Sequence, residues 1–271
     1  MNANEVYAIL NNKIKKISGG GSSTPITVTS NITVGAIPAG SKIVSKTSDE
    51  LWKWALVQAL APQITFTSTE SETIVREKGT LVNTTLDVKI AVKSNGGSDI
   101  VSVTYSSTPT HSLFDGAQTV SNPSSFTDNI PNVTFSDTQV FKVSATDKNG
   151  KVANSTKTFT FVYPMYSGLV DYGTTITDTI VQGGLKMVAT KADKTCTFNS
   201  SGAYKVPFFA YPSSYGSLSK IMDVVNGFDL ISNYTNTTVT IMGLDGTAQN
   251  YTVYYANIYG VFDNFDIKFM F

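Results

Sequence analysis

Alternation of apolar and polar residues marks most of this chain as β. In "LDVKIAV", Leu86, Val88, Ile90 and Val92 share one side of a period-two pattern, while Asp87, Lys89 and Ala91 share the other. The runs "QITFTSTE", "TTLDVKIAVKS", "IVSVTYSS", "QVFKVSATD" and "VANSTKTFTFVY" repeat that pattern between Gln63 and about Pro164. Turn signals separate them, among them "NGG" at Asn95 and "DKNG" from Asp147 to Gly150. Short strands at such intervals over ~100 residues predict a β-sandwich of immunoglobulin type. Only the architecture is argued, because the Cys…Trp…Cys core of antibody domains is missing. A second β-rich unit begins near Met165. "LKMVATKADKTCTFN" is strand material broken by turns, and "TTVTIMGLDGTAQNYTVYYA" predicts a hairpin turning at Asp245-Gly246. "AYKVPFFAYPSSYGSLSKIMDVVNGFDLI" is less regular. Pro207 and Pro212 argue against a continuous central strand, and "SLSKIMDVV" predicts a helical turn ended by Asn226-Gly227. In "FDIKFMF", Phe265, Ile267, Phe269 and Phe271 alternate, which predicts a strand tied into a sheet.

Two stretches depart from the β pattern. In "NEVYAILNNKIKKI", Tyr7, Leu10, Ile14 and Ile17, read with Ala3, recur at spacings of four and three, the seam of a heptad helix. Such a helix is too short to stand alone, and Ile at the core positions favours three strands over two. The commoner use of an amphipathic helix is packing on its own domain. Here "SGGGSS" from Ser18 to Ser23 is a flexible linker that weakens such docking, so association is expected. The second departure is "TSDELWKWALVQALAP". Thr47 and Glu50 form a capping box, Leu51, Ala55, Leu56, Ala59 and Leu60 share a face, and Pro62 stops the helix. Trp52 and Trp54 flank that face; burial, including between subunits, is expected over a binding platform. The chain is thus expected to be mainly β. It divides into an attachment or oligomerisation helix at 1–17, a Gly/Ser linker with short β elements and the capped helix at 18–62, an immunoglobulin-like sandwich at 63–163, and a C-terminal β-rich domain at 164–271.

Composition narrows the function. Hydrophobic residues make up 41% of the chain and charged residues 15%, with 20 basic and 20 acidic side chains. That balance argues against nucleic acid, whose binding rests on clustered Lys and Arg. No run reaches the ~20 apolar residues of a membrane helix, so no membrane insertion is expected. Cys196 is the single cysteine, which excludes an intramolecular disulfide and a cysteine-based metal site and fits synthesis in a reducing cytosol. The first residues lack a signal-peptide core, so export by that route is not expected. The Asn-x-Ser/Thr triplets at Asn83, Asn154, Asn236 and Asn250 read as products of an Asn- and Thr-rich composition rather than glycan sites.

Candidate chemistry is sparse. His111 is the only histidine and lies in the turn-rich "SSTPTHSLFDGA". Ser112 and Asp115 are its sequence neighbours, which makes no triad, and a solvated loop histidine is expected. No nucleotide-binding or hydrolase motif occurs, and no cofactor is expected. "DKNGK" lacks the later ligands of a calcium loop and reads as a hairpin turn. Asp263 and Asp266, spaced by three beside a strand, would face opposite ways and read as turn and edge charges. The remaining feature is aromatic. "FFAYPSSYG" and "YTVYYANIYG" put Tyr211, Tyr215, Tyr255 and Tyr259, with Tyr251 and Tyr254, in or beside hairpins. Rings beside Asn, Ser and Asp make sugar-contact surfaces, ring on the apolar sugar face and polar group on hydroxyl. Packing in the core or between subunits is the commoner use and is expected for most of them.

The opening "NEVYAILNNKIKKI" followed by "ITVGAIPAGSKIVSKTSDELWKWALVQALAP" resembles the N-terminal parts of fibre and appendage proteins of tailed bacteriophages. The shared pattern falls on Gly35, Ile37, Gly40, Ile43, Thr47, Glu50 and Leu51. "FFAYPSSYGSLSKIMDVVNGFDL" also looks like the terminal domain of such proteins, while the middle agrees only as an immunoglobulin-like fold. The resemblance implies a structural virion protein without enzymatic activity: a homotrimeric short fibre of tail or head, assembled in the bacterial cytoplasm. It would be fixed to other virion proteins by its N-terminus. Tyr7, Leu10, Ile14, Ile17, Leu51, Trp52 and Leu56 would carry oligomerisation or attachment, and Tyr211, Tyr215, Tyr255 and Tyr259 would offer contact to host-surface or mucus glycans. The alternative is a soluble carbohydrate-binding module or adhesin without catalysis.

Overall fold

The structure, a computed structural model, describes residues 60–92 and 98–271 in full and, ahead of them, the backbone of four strands. Those are β1 (Glu5–Leu10), β2 (Lys13–Gly19), β3 (Ile26–Thr29) and β4 (Lys42–Lys46), paired antiparallel as β1 with β2 and β3 with β4. The residues expected to form a helix at 1–17 are described instead as paired strands, with Tyr7 and Leu10 on one and Ile14 and Ile17 on the other. Val6, Tyr7, Ile9, Ile14 and Ile17 are β-formers, and so short a helix has little intrinsic stability to set against strand pairing. The capped helix with Leu51, Trp52, Trp54 and Leu56, and the turn at Asn95, lie outside the described residues.

From residue 60 onward the protein is mainly β, and the chain divides into two compact units. The first contains Met1–Thr69, Thr84–Val133 and Val140–Lys157; the second contains Glu70–Asn83, Thr134–Gln139 and Thr158–Phe271.

Most of two sheets belongs to the first unit. Strands β5 (Gln63–Ser68), β7 (Val82–Ala91) and β10 (Ser125–Phe135) form one, ordered β10-β7-β5. Strands β8 (Ile100–Thr108), β9 (Gly116–Gln118), β11 (Gln139–Asp147) and β12 (Val152–Phe159) form the other, ordered β12-β11-β8-β9. The alternation in "LDVKIAV" is realised: Leu86, Val88 and Ile90 are buried, while Asp87 and Lys89 are not. Phe114, between β8 and β9, stacks on Tyr105 (5.0 Å between ring centres) and Phe66 (6.0 Å) and meets Phe141 edge-on (4.9 Å). One ring thereby joins residues of both sheets. At Asp147 the expected hairpin turn forms, its Oδ1 accepting from the Asn149 and Lys151 backbone N–H groups, with Gly150 at φ 75°. Strand β10 was not legible, because "DNIPN" reads as a turn. It is an edge strand, where Pro131 removes no obligatory ladder bond.

Two further sheets build the second unit. A five-stranded sheet orders β15 (Leu185–Met187), β14 (Met165–Val170), β17 (Val206–Pro212), β20 (Ala248–Ala256) and β19 (Tyr234–Met242), with β17 in the middle. A three-stranded sheet orders β16 (Lys194–Phe198), β21 (Phe265–Met270) and β18 (Lys220–Asp223). A parallel pair, β6 (Arg76–Glu77) with β13 (Phe161–Val162), completes the strands. Phe209, Tyr211 and Tyr254 of the larger sheet pack with Cys196, Phe198, Ile221, Ile267 and Phe269 of the smaller one, Phe209 stacking on Phe269 at 4.4 Å. On the opposite face, Tyr166, Phe208, Ala210, Tyr251 and Val253 pack with Val181 of helix α1 (Asp178–Gln182). Thr177 caps that helix, its side chain accepting from the Ile180 N–H.

Two expectations are corrected here. Strand β17 is central despite its prolines, and all seven of its residues are buried. Its pairing explains this. β14 pairs with Val206 to Ala210 and β20 with Phe208 to Pro212, so each proline lies where only one neighbour is hydrogen-bonded. A ring in place of an N–H can then face the unpaired side. "SLSKIMDVV" forms strand β18, not a helical turn. Asp223 decides the matter: its carboxylate accepts from the backbone N–H groups of Val225 and Asn226 and from the Asn226 amide, fixing a turn where a helix would need those groups. The hairpin at Gly246 (φ 75°) and the alternating strand β21, centre of its sheet, form as expected.

Candidate functional site

The tyrosines expected to offer a sugar surface divide between core and surface. Tyr211 is 0% exposed, and its hydroxyl donates to the Gly216 carbonyl at 2.9 Å. Tyr215 is half-buried against Phe271. These two are packing residues. Tyr259 is 54% exposed, and half-buried Tyr255 lines a cleft.

Tyr259 does not stand alone. Tyr172, 61% exposed, lies 4.9 Å from it, and Tyr204, 65% exposed, lies 5.7 Å from it, with the ring planes at 59° and 79°. Three touching rings with over half their surface in water are unusual, since large aromatics normally bury. Each comes from a different connection: Tyr172 follows β14, Tyr204 precedes β17 and Tyr259 follows β20. Backbone pairing holds them. Lys205 and Gly260 exchange both N–H···O bonds, at 2.9 and 3.0 Å, which sets Tyr204 beside Tyr259. The Lys205 Nζ reaches Asp171 Oδ1 at 2.6 Å and ties in the loop that carries Tyr172. That loop turns by a Thr174 N–H to Asp171 carbonyl bond, with Gly173 at φ 81°.

Beside the rings opens a cleft of about 460 Å³, sharing Asp171 and Tyr172 with them and continuing to Thr174, Thr237, Tyr255 and Asn257. Strand alternation explains its floor. Thr235, Thr237 and Tyr255 share the sheet face that bears Ile241, Tyr251 and Val253, and α1 packs with the last three. The Thr235 end of the same face is left to the Asp171–Ile176 loop. The site therefore offers aromatic surface, hydroxyls, an amide and a mutually neutralised ion pair, which are means of binding. Tyr172 and Tyr204 escape a periodicity reading because each is a single ring in a turn, "DYGTT" and "SGAYK". The signal that could have found them is a tyrosine beside a glycine turn at a strand end.

Asp115 Oδ2 accepts from the His111 backbone N–H (3.1 Å) and Oδ1 from the Ser107 hydroxyl (2.6 Å), while Ser112 is exposed. Asp266 accepts from Thr197 across the β16–β21 pair at 2.6 Å. Among the described residues no cluster of His, Cys, Asp and Glu is suited to a metal ion, and no helix is long and apolar enough to cross a membrane. Compared with known proteins, the chain matches no family model, no curated protein and no solved structure.

Proposed function

We propose that the chain is a structural, non-enzymatic protein of a tailed-bacteriophage particle: a homotrimeric short fibre of head or tail, assembled in the bacterial cytoplasm. It is held to other virion proteins by its N-terminal residues and contacts surface glycans through its second unit. The particle assignment rests on the pattern from Gly35 to Leu51 and on the "FFAYPSSYG" region. An immunoglobulin-type reading of residues 63–163 is supported by the strand orders β10-β7-β5 and β12-β11-β8-β9. The observation that carries the binding role is the exposed cluster of Tyr172, Tyr204 and Tyr259 beside its cleft. That cluster equally favours the alternative, a soluble carbohydrate-binding module or adhesin. Mass spectrometry of purified particles separates the two. The chain is expected among the virion proteins in a copy number divisible by three, and its absence overturns the appendage reading. Deleting the residues before Gly19 should abolish incorporation while both β-rich units stay folded.

A further inference from the structure

We infer that Tyr172, Tyr204 and Tyr259, with the adjoining cleft, form a binding site for an uncharged saccharide: a pyranose ring lies against the tyrosines and its hydroxyls meet the cleft's polar groups. The inference rests on the proposed function only for where the ligand is met, and it names the ligand class and the residues that take it.

Four observations lead there. The rings are preorganised, because the Lys205–Gly260 backbone bonds and the Lys205–Asp171 ion pair hold all three connecting segments before a ligand arrives. Less ordering is then lost on binding. The planes are tilted by 59° and 79° rather than coplanar, so the cluster is a notch with ring faces on more than one side. A pyranose, with apolar C–H groups on its faces and hydroxyls on its rim, matches such a notch. The cleft, at about 460 Å³, falls in the size range of small-ligand sites. Its Thr174, Thr235 and Thr237 hydroxyls donate and accept, as does the Asn257 amide, which suits hydroxyl groups that do both. Finally, the charge is balanced. Lys205 is occupied by Asp171, which disfavours a phosphodiester or a sialylated or sulfated glycan, each of which needs a free cation.

Titration of the purified full chain with glucose, galactose, mannose, fucose, N-acetylglucosamine and N-acetylgalactosamine, followed by the NMR signals of the tyrosine rings, tests this. At least one sugar should shift ring signals saturably with a Kd of about 1 mM or tighter. Tyr259→Ala, which removes the ring touching both others, should weaken that binding about tenfold, and Tyr259→Phe should keep it within about threefold. Both variants should keep the thermal midpoint. No saturable shift with any of the six sugars overturns the inference, as does binding confined to sialic acid or heparin oligosaccharides run beside them. A Tyr259→Ala change that leaves sugar binding intact but lowers the molecular mass in light scattering reassigns the cluster to contact between copies and also overturns it. None of these outcomes depends on finding the chain in particles, so the site and the particle role fail separately.

Discussion

Burial pushes the Cys196 thiol up to about 11 from an ordinary 9.0, and the opposing effects of the Ser167 hydroxyl and the Lys194 charge are smaller. The side chain is 4% exposed and packs with Phe198 and Ile267. Because the folded state holds this proton more tightly than the unfolded chain does, its contribution is full below pH 9.0 and is lost as pH rises toward 11. A rise of that size corresponds to about 2 to 3 kcal/mol of stability. Burial also raises Tyr211, Tyr234 and Tyr251, so the loss continues in the same direction at higher pH. Urea midpoints should therefore be flat from neutral pH to about 9 and fall above it, with Cys196→Ala removing the first part of the fall. A thiol reagent at neutral pH should label Cys196 only after denaturant is added. A fall that begins well below pH 9, or immediate labelling, contradicts this account.

Local backbone demands explain what periodicity reveals and what it hides. "LDVKIAV" was legible because one face of β7 is buried and the other is not. Strand β17 was hidden because both of its faces are covered, so alternation is lost and only the prolines speak. β10 was hidden by Pro131, whose tolerance depends on an edge position that no local window reveals. The tyrosine cluster was half legible: Tyr259 stands in an aromatic-rich run, whereas Tyr172 and Tyr204 are brought to it by the pairing of Lys205 with Gly260 and with Asp171. Gly79 poses a similar problem. It has φ 94°, and a Cβ there would lie 2.6 Å from the Leu244 carbonyl carbon. Around it, Lys78 pairs with Asp137 at 3.0 Å and lies over the Tyr163 ring, and the Tyr163 hydroxyl donates to Asp245 at 2.8 Å. Glu77 pairs with Lys186. Gly79→Ala combines positive φ with overlap against backbone and should cost more than about 2 kcal/mol. Gly246 has φ 75° but open space around it, so Gly246→Ala should cost only about 1 to 2 kcal/mol. Paired denaturation curves check the order, and equal losses would contradict it.

At the scale of the molecule, the proposed trimer has a direct measurement. Light scattering on the purified chain at micromolar concentration should give three times the 29.1 kDa chain mass, and a clean monomer would sink the trimer. The proposed assembly rests on the spacing of Tyr7, Leu10, Ile14 and Ile17 and on the "ITVGAIPAGSKIVSKTSDEL" region, because oligomerisation is a property of faces and not of any single element. In the proposed trimer, unfolded chains would be brought together while they fold, and this would give β17 a second significance. "VPFFAYP" is an uncharged, apolar, strand-forming segment, the composition that stacks readily between chains. Pro207 and Pro212 bracket its most apolar stretch, and a proline cannot donate to a stack that pairs both edges of every strand. The residues that disguised this strand are therefore placed where gatekeepers against such stacking would sit. Replacing both by Ala should raise light scattering during refolding several-fold while the material that does fold keeps its native circular dichroism. In the finished protein the same segment is harmless, because neighbours on both edges and side-chain layers on both faces leave nothing of it to recruit another chain.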